Sequence, residues 1–322
     1  MESFLREIYP VGHGGFSFER IGNYSVVFDC GSKTSPARVS QYINRLKDIV
    51  NGKIDRLYIS HFDKDHVNSI HELIDVIGVK AAVIPYIPDE YAVIYNAMTG
   101  NAYSTMRRVL FNRELDVVAL LQEAVTRLSG WEWIAKPMLS TTEWTKLGNE
   151  LEKQGLQEDL LQDPEYVNEN KKTINNCFKK LFGSKGPNSK GLILLSQKTN
   201  GVVLYNLVTA NALSEHVIGT SALYTGDANM ISPSCVTEVQ TFLREHFREQ
   251  LSLVQIPHHG SCSNSGAHFD LQYPAKYYYF HDITSKRFRK NTILYNSLKH
   301  TNSLLEVKDV DGDIICQRIE LV

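Results

Sequence analysis

Long hydrophobic runs are missing from this 322-residue chain. No segment reaches the roughly 18 uncharged apolar residues needed to span a bilayer, so no membrane association is expected. The opening residues MESFLREIYPVGHGG lack an apolar signal-peptide core, because Arg6 and Glu7 interrupt it. Charge imbalance is missing too. The 34 Lys+Arg and 36 Asp+Glu leave a formal net charge of -2, which excludes a polybasic nucleic-acid coat. With 20 Gly and 10 Pro, the chain is neither collagen-like nor of low complexity. The five cysteines, Cys30, Cys177, Cys235, Cys262 and Cys316, are odd in number and never form a C-x-x-C pair. That argues against a four-cysteine zinc site and for reduced thiols in a cytoplasmic protein.

What is present is an ordinary supply of core material, 43% hydrophobic residues, enough for one large or two ordinary domains. Short apolar runs alternate with amphipathic ones. Strands are predicted at 24–29, 54–59 and 81–84, with helices over 36–50 and from about 68. The first helix presents Val39, Tyr42, Ile43, Leu46 and Ile49 on one face. Strands return at 192–196, 202–208, 222–225 and 253–256, with a helix over 236–247. The tail adds strands at 277–280, 305–307 and 314–319, with a helix at 293–298. Between the halves, residues 86–189 read as a helical insertion. Its helices are a long one from Met106 to Leu128 with a break near Asn112, one around Leu160 and Leu161, and one over 174–181. The expected division is 1–85, 86–189 and 190–322, an α/β fold in two halves around the insertion.

The chemistry concentrates at three strand ends. Ser60-His61-Phe62-Asp63-Lys64-Asp65-His66 places four potential metal ligands within six residues, directly after a buried strand. Imidazole and carboxylate together suit zinc, manganese or iron. Thr225-Gly226-Asp227 places a carboxylate after a second strand, and Pro257-His258-His259-Gly260 places two histidines after a third. A loop rich in His and Asp is in itself only a polar surface loop. Three strand ends that each deliver such residues are what a site at one edge of a layered sheet requires.

This order, H-x-D-x-D-H, then T-G-D, then P-H-H-G-S, resembles the metallo-β-lactamase superfamily. It is similar above all to the branch that includes the hydrolase domain of the bacterial DNA-uptake protein ComEC. Val11-Gly12-His13-Gly14-Gly15 with Val27-Phe28-Asp29-Cys30-Gly31 resembles that branch's opening hairpin. Asn188 to Leu195 resembles its Asn-rich lead into a strand, and Asp309 to Ile314 its last hairpin. The resemblance covers about residues 5–85 and 188–322. It implies an αββα sandwich with a metal site at one edge. His61 and Asp63 would face a first metal position, Asp65 and His66 a second, and Asp227 would bridge. His258 or His259 would complete the second position, with His258 favoured. Asp29 would brace the ligand loop by hydrogen bonds, and His13, in the opening hairpin, would either approach the site as a supporting residue or be structural. The implied cofactor is one or two divalent ions, Zn or Mn.

Two departures stand out. No His lies between His71 and His216, where many members supply a ligand, and His216 reads as part of a polar loop. Near the C-terminus, Lys286 and Arg287 stand where the branch tends to have a His. With Asn188 and Lys190 they are the candidates to contact substrate.

Such a centre implies a hydrolase, with Asp65 and Asp227 as the catalytic carboxylates and Asp65 orienting or deprotonating the attacking water. The leading expectation is a phosphodiesterase or nuclease acting on nucleic acid or another phosphodiester. A hydrolase of small esters, lactones or cyclic nucleotides is the second, with Trp131, Trp133 and Trp144 in a lid. A non-catalytic binding or regulatory subunit is the third. The insertion is equally suited to docking a protein partner or to self-association.

Overall fold

The computed structural model describes residues 3–113, 115–182, 190–199, 204–209, 212–218, 220–247, 251–261, 265, 275–281, 292–300, 304–308 and 314–320. The first half contains β1 (Ser3–Ile8), β2 (Gly14–Ile21), β3 (Tyr24–Ser32), α1 (Pro36–Ile49), β4 (Ile54–Tyr58), α2 (Lys64–Val67), α3 (Ile70–Val76) and β5 (Val79–Pro85). The middle contains α4 (Ala92–Met98), α5 (Ala102–Phe111), β6 (Asp116–Leu120), β7 (Ala124–Leu128), β8 (Trp131–Pro137), α6 (Thr141–Lys153), α7 (Pro164–Glu169) and α8 (Lys171–Phe182). The second half contains β9 (Leu192–Lys198), β10 (Leu204–Thr209), β11 (Ala212–Ile218), β12 (Ser221–Tyr224) and α9 (Pro233–His246). It closes with β13 (Leu251–Gln255), β14 (Lys276–His281), α10 (Thr292–His300), β15 (Leu304–Lys308) and β16 (Ile315–Glu320).

The strands form two mixed sheets. The first has nine strands in the order β11-β10-β16-β1-β2-β3-β4-β5-β6; the second has seven, β15-β14-β13-β12-β9-β8-β7. Period-two alternation shows how they stack. On β9, Leu192 and Leu194 pack in the core shared with the first sheet, while Ile193 and Leu195 pack with Val239, Phe242 and Leu243 of α9. On β14, Tyr278 and Phe280 face the shared core, and Tyr277 and Tyr279 face the α9 and α10 side with Leu294. Helix α1 begins with Pro at its first position and buries Val39, Tyr42, Ile43 and Leu46. Together with α3 it covers the outer face of the first sheet. The layers are therefore helix, sheet, sheet, helix: the αββα sandwich expected from the sequence.

Part of the 86–189 reading is corrected. Helix α5 stops at Phe111, at the break expected near Asn112, but beyond it two strands, β6 and β7, stand where the helix is predicted to continue, and β8 follows them. β6 joins the first sheet beside β5, and the β7–β8 hairpin joins the second beside β9. Val117, Leu121, Val125 and Leu128 imitate helical spacing, but they line no buried helix face. Leu121 is 46%, Val125 41% and Leu128 39% exposed. Sheet pairing, not amphipathicity, sets the conformation here. Leu160 and Leu161 lie in a short 3-10 turn rather than an α-helix. His216, read as a loop residue, lies on β11 opposite Asn206. The tryptophans are not a lid. Trp131 is fully buried and stacks on Phe4 with centroids 3.9 Å apart, Trp133 is equally buried, and Trp144 packs on Tyr91.

Between the sheets lies a buried polar cluster. Arg6 donates to Glu19 Oε1 at 2.6 Å, to the Thr220 carbonyl at 2.9 Å, to Ser196 Oγ at 3.2 Å, and to Gln317. Trp133 Nε1, Ser196 Oγ and Tyr224 Oη each donate to the Glu19 carboxylate at 2.6 Å. Burial opposes the charge on Glu19, but Arg6 and these donors outweigh it and lower its proton affinity. The stability this supplies is complete above the ordinary glutamate value of about 4.3. It is lost as pH falls through the depressed folded value. Replacing Arg6 with Ala leaves the buried Glu19 carboxylate without its counter-charge and is expected to cost about 3–5 kcal/mol. Urea unfolding at neutral pH checks this. The double change Arg6→Met with Glu19→Leu should recover most of the loss.

Candidate metal centre

Two parallel strand pairs deliver the site, β3 with β4 in the first sheet and β12 with β13 in the second. Because each pair is parallel, its C-terminal ends emerge on one side. After β4, Ser60 to Asp63 lead into the single turn of α2, which carries Asp65 and His66. After β12 comes Asp227, and after β13 a turn in which both His258 (φ +49°) and His259 (φ +55°) are left-handed. Such backbone costs about 1–3 kcal/mol per residue and gathers at functional sites.

Asp29 fixes the ligand loop from β3. Its Oδ1 accepts from Ser60 N at 2.7 Å, and its Oδ2 accepts from Ser60 Oγ at 2.7 Å and from His66 Nδ1 at 2.8 Å. With its proton on Asp29, Ser60 Oγ is left to accept from His61 Nδ1, 2.9 Å away. These bonds turn the Nε2 atoms of His61 and His66 toward the centre. Both atoms are buried, with no hydrogen-bond partner.

Two groups of ligand-capable atoms result. His61, His66 and Asp227 form an inner, buried group; His13, Asp65 and His259 form an outer one; within each, the atoms lie within 4.8 Å of one another. In the inner group, His61 Nε2 is 3.7 Å from Asp227 Oδ2, and His66 Nε2 is 3.4 Å from Asp227 Oδ1. Bonds of about 2.0–2.1 Å to a tetrahedral ion place donors about 3.3 Å apart. The donor set, its spacing and the bare buried nitrogens therefore suit a divalent cation.

The grouping differs from the pairing implied by the family resemblance. His66 stands with His61, while Asp65 stands across from it with His259. The two are consecutive on one helical turn, so their side chains diverge by about 100°. Asp63 belongs to neither group; its Oδ2 lies 4.0 Å from His61 Nε2. His258, the favoured choice, hydrogen-bonds Asp227 through Nδ1, and it is His259 that reaches Asp65, at 3.4 Å. His13 stands beside the ligand atoms rather than behind them, with Nε2 3.2 Å from Asp65 Oδ2.

Lys190 is committed elsewhere. It is 7% exposed and pairs with Glu143 at 2.9 Å and Glu238 at 3.6 Å, so it is not available to substrate. Asn188, Lys286 and Arg287 lie outside the described residues. Sequence reading passed over two bracing residues. Gln255 Oε1 accepts from the amides of Thr225 and Gly226, which sets the turn carrying Asp227. Asn68 bonds both the amide and the carbonyl of Ser32. The signal for Gln255 was there: one amide side chain in an otherwise apolar strand end.

Charge states follow from burial and neighbours. Burial opposes ionisation of Asp65, but hydrogen bonds from His13 and His259 outweigh it and hold the carboxyl well below the usual range. Asp227 is likewise held low, with His258 and His61 overcoming its burial. Asp63 moves the other way, raised by burial. Burial lowers His259 to about 4, which keeps it the neutral imidazole that binds metals. Burial also disfavours a charged His66, yet Asp29 and Asp227 raise its proton affinity well above normal. A cation at His66 therefore has to displace a proton.

No family model matches the chain, and no curated relative does. Solved structures are similar to it. YhfI from Bacillus subtilis, a metallo-β-lactamase fold protein, shares 9% identity over 96% of this chain and 98% of its own, with a TM-score of 0.46. MEM-A1, a subclass B3 metallo-β-lactamase isolated from a soil metagenome library, shares 12% over 81% and 80%, with a TM-score of 0.35. CmlA, a diiron β-hydroxylase from Streptomyces venezuelae, shares 16% over 79% of this chain, with a TM-score of 0.37; this chain spans 34% of its length.

Because Asp29 orients both His61 and His66, Asp29→Ala should weaken divalent-ion binding about 10- to 100-fold. Metal content after dialysis against a graded chelator measures this, and far-UV circular dichroism should show the sandwich retained.

Proposed function

We propose that this protein is a metal-dependent hydrolase of the metallo-β-lactamase kind, and that its substrate is a phosphodiester, as in a phosphodiesterase or a nuclease of the ComEC-like branch. The observation that supports this reading most is the pair of ligand-capable groups side by side at the sheet ends. His66 Nε2 and Asp65 Oδ2, one from each group, are only 4.0 Å apart. Neighbouring sites of that kind, rich in carboxylate, are common where an in-line displacement at phosphorus needs both attacking and leaving oxygens stabilised. Divalent ions bound there would acidify a water and polarise the scissile group.

The chain's own residues divide the remaining work by their proton affinity. Asp65, held well below the usual range, accepts a hydrogen bond but is a poor proton acceptor; its role is to orient the attacking water. Asp63, raised by burial and with its side chain 31% exposed, is the better proton acceptor. Asp227 and His258 keep the inner group in register through their mutual hydrogen bond.

Hydrolysis of a chromogenic bis-phosphodiester with Mn or Zn tests the reading. Asp227→Ala and His258→Ala should abolish turnover, and Asp63→Asn should lower kcat about 100- to 10,000-fold. Turnover of lactones or carboxylic esters alone would replace the substrate class. A metal-loaded protein that hydrolyses none of these would instead support a binding subunit.

A further inference from the structure

We infer that His13 is a metal ligand: with Asp65 and His259 it builds an outer cation site, distinct from the buried inner one, so that the centre is asymmetric and fills in two steps. This rests on the hydrolase reading above. His13 comes from the loop between β1 and β2, a part of the chain far in sequence from the other donors. Its Nε2 lies 3.2 Å from Asp65 Oδ2, and its ring centroid lies 4.3 Å from that of His259. His259 Nε2 lies 3.4 Å from the same Asp65 oxygen, and the ligand-capable atoms of the three residues lie within 4.8 Å of one another. Three donors of the correct chemistry thus converge, two imidazole nitrogens on one carboxylate oxygen.

The His13 backbone is held in place from both sides. Its amide donates to Thr34 Oγ1 at 3.0 Å, and its carbonyl accepts from Lys33 N at 2.7 Å. Just before it, the Val11 carbonyl accepts from Ser32 Oγ at 2.5 Å. The side chain is therefore presented on a fixed loop, as a ligand requires.

The two groups differ in access. The inner side chains of His61, His66 and Asp227 are 0%, 1% and 2% exposed; in the outer group His259 is 4% exposed, but His13 is 25% and Asp65 12% exposed. Two cations only a few ångströms apart also repel each other. The outer ion is then the weaker and faster-exchanging one. This arrangement gives the centre an imidazole from the N-terminal hairpin, in a chain with no His between His71 and His216.

The rival account is that His13 and His259 only clip Asp65 by hydrogen bonds. Titration of the metal-free full-length protein with Co(II), followed by calorimetry and visible absorption, separates the two. Wild type should take up two ions with distinct affinities. His13→Ala and His13→Gln should both keep the tight ion and lose affinity for the weak one by about 100-fold or more, beyond what an indirect partner costs. Gln keeps a hydrogen-bond donor to Asp65. Restoration of the weak ion by Gln, two ions bound within twofold of wild type in both variants, or a single ion in wild type would each overturn the proposal and leave the hydrolase reading standing. A wild-type protein that binds no divalent ion would overturn both.

Discussion

The carboxylate of Asp29 is the tie on which the site depends. It sits in the second half of β3 in left-handed backbone, φ +56°, and reaches across to the end of β4 and the start of α2. One carboxylate thereby sets the position of Ser60, the ring orientation of His66 and, through Ser60, that of His61. Remove it and two imidazoles lose the partner that keeps Nε2 facing inward. The strained backbone is the cost of aiming the side chain there, and three charge-assisted bonds offset it.

The loop can lie so close to the sheets only because the backbone around it is bare. A Cβ on Gly31 would lie 2.8 Å from the Asp65 carbonyl oxygen, and one on Gly191 would lie 2.4 Å from the Ser60 carbonyl oxygen. Gly191 precedes β9 in the second sheet, and Leu192 N donates to the same Ser60 carbonyl at 2.6 Å. The ligand loop is thus clamped between layers. Deeper in, the Arg6–Glu19 cluster does the equivalent for the sheets themselves. It joins β1, β2, β8, β9, β12 and β16 through side chains that have no better place for their charges. A slip of either sheet would leave a carboxylate or a guanidinium buried without partners.

The division of labour among the histidines shows how far residue order misleads. His258 and His259 are adjacent, yet one stabilises Asp227 and the other closes on Asp65, because consecutive left-handed residues turn the chain between them. Asp65 and His66 part for the analogous reason on a helical turn. His13 lies 48 positions before His61 in a glycine-rich hairpin, and nothing local marks it as a partner for either pair.

The sequence by itself determined where donors collect: after β4, after β12 and after β13, each a buried apolar run ending in His or Asp. It also determined the layered α/β class and most of its strands, since burial on a pleated sheet leaves a period-two or continuous apolar trace. It misassigned β6 and β7, because edge strands bury too little to leave that trace, and their half-exposed Val and Leu happened to fall at helical spacing. Which donors come within reach of one another was decided only by the tertiary structure. That assignment depends on turn geometry, on hydrogen bonds such as those of Asp29 and Gln255, and on the approach of two sheets. These contacts are made by residues far apart in the chain, and no local pattern encodes them.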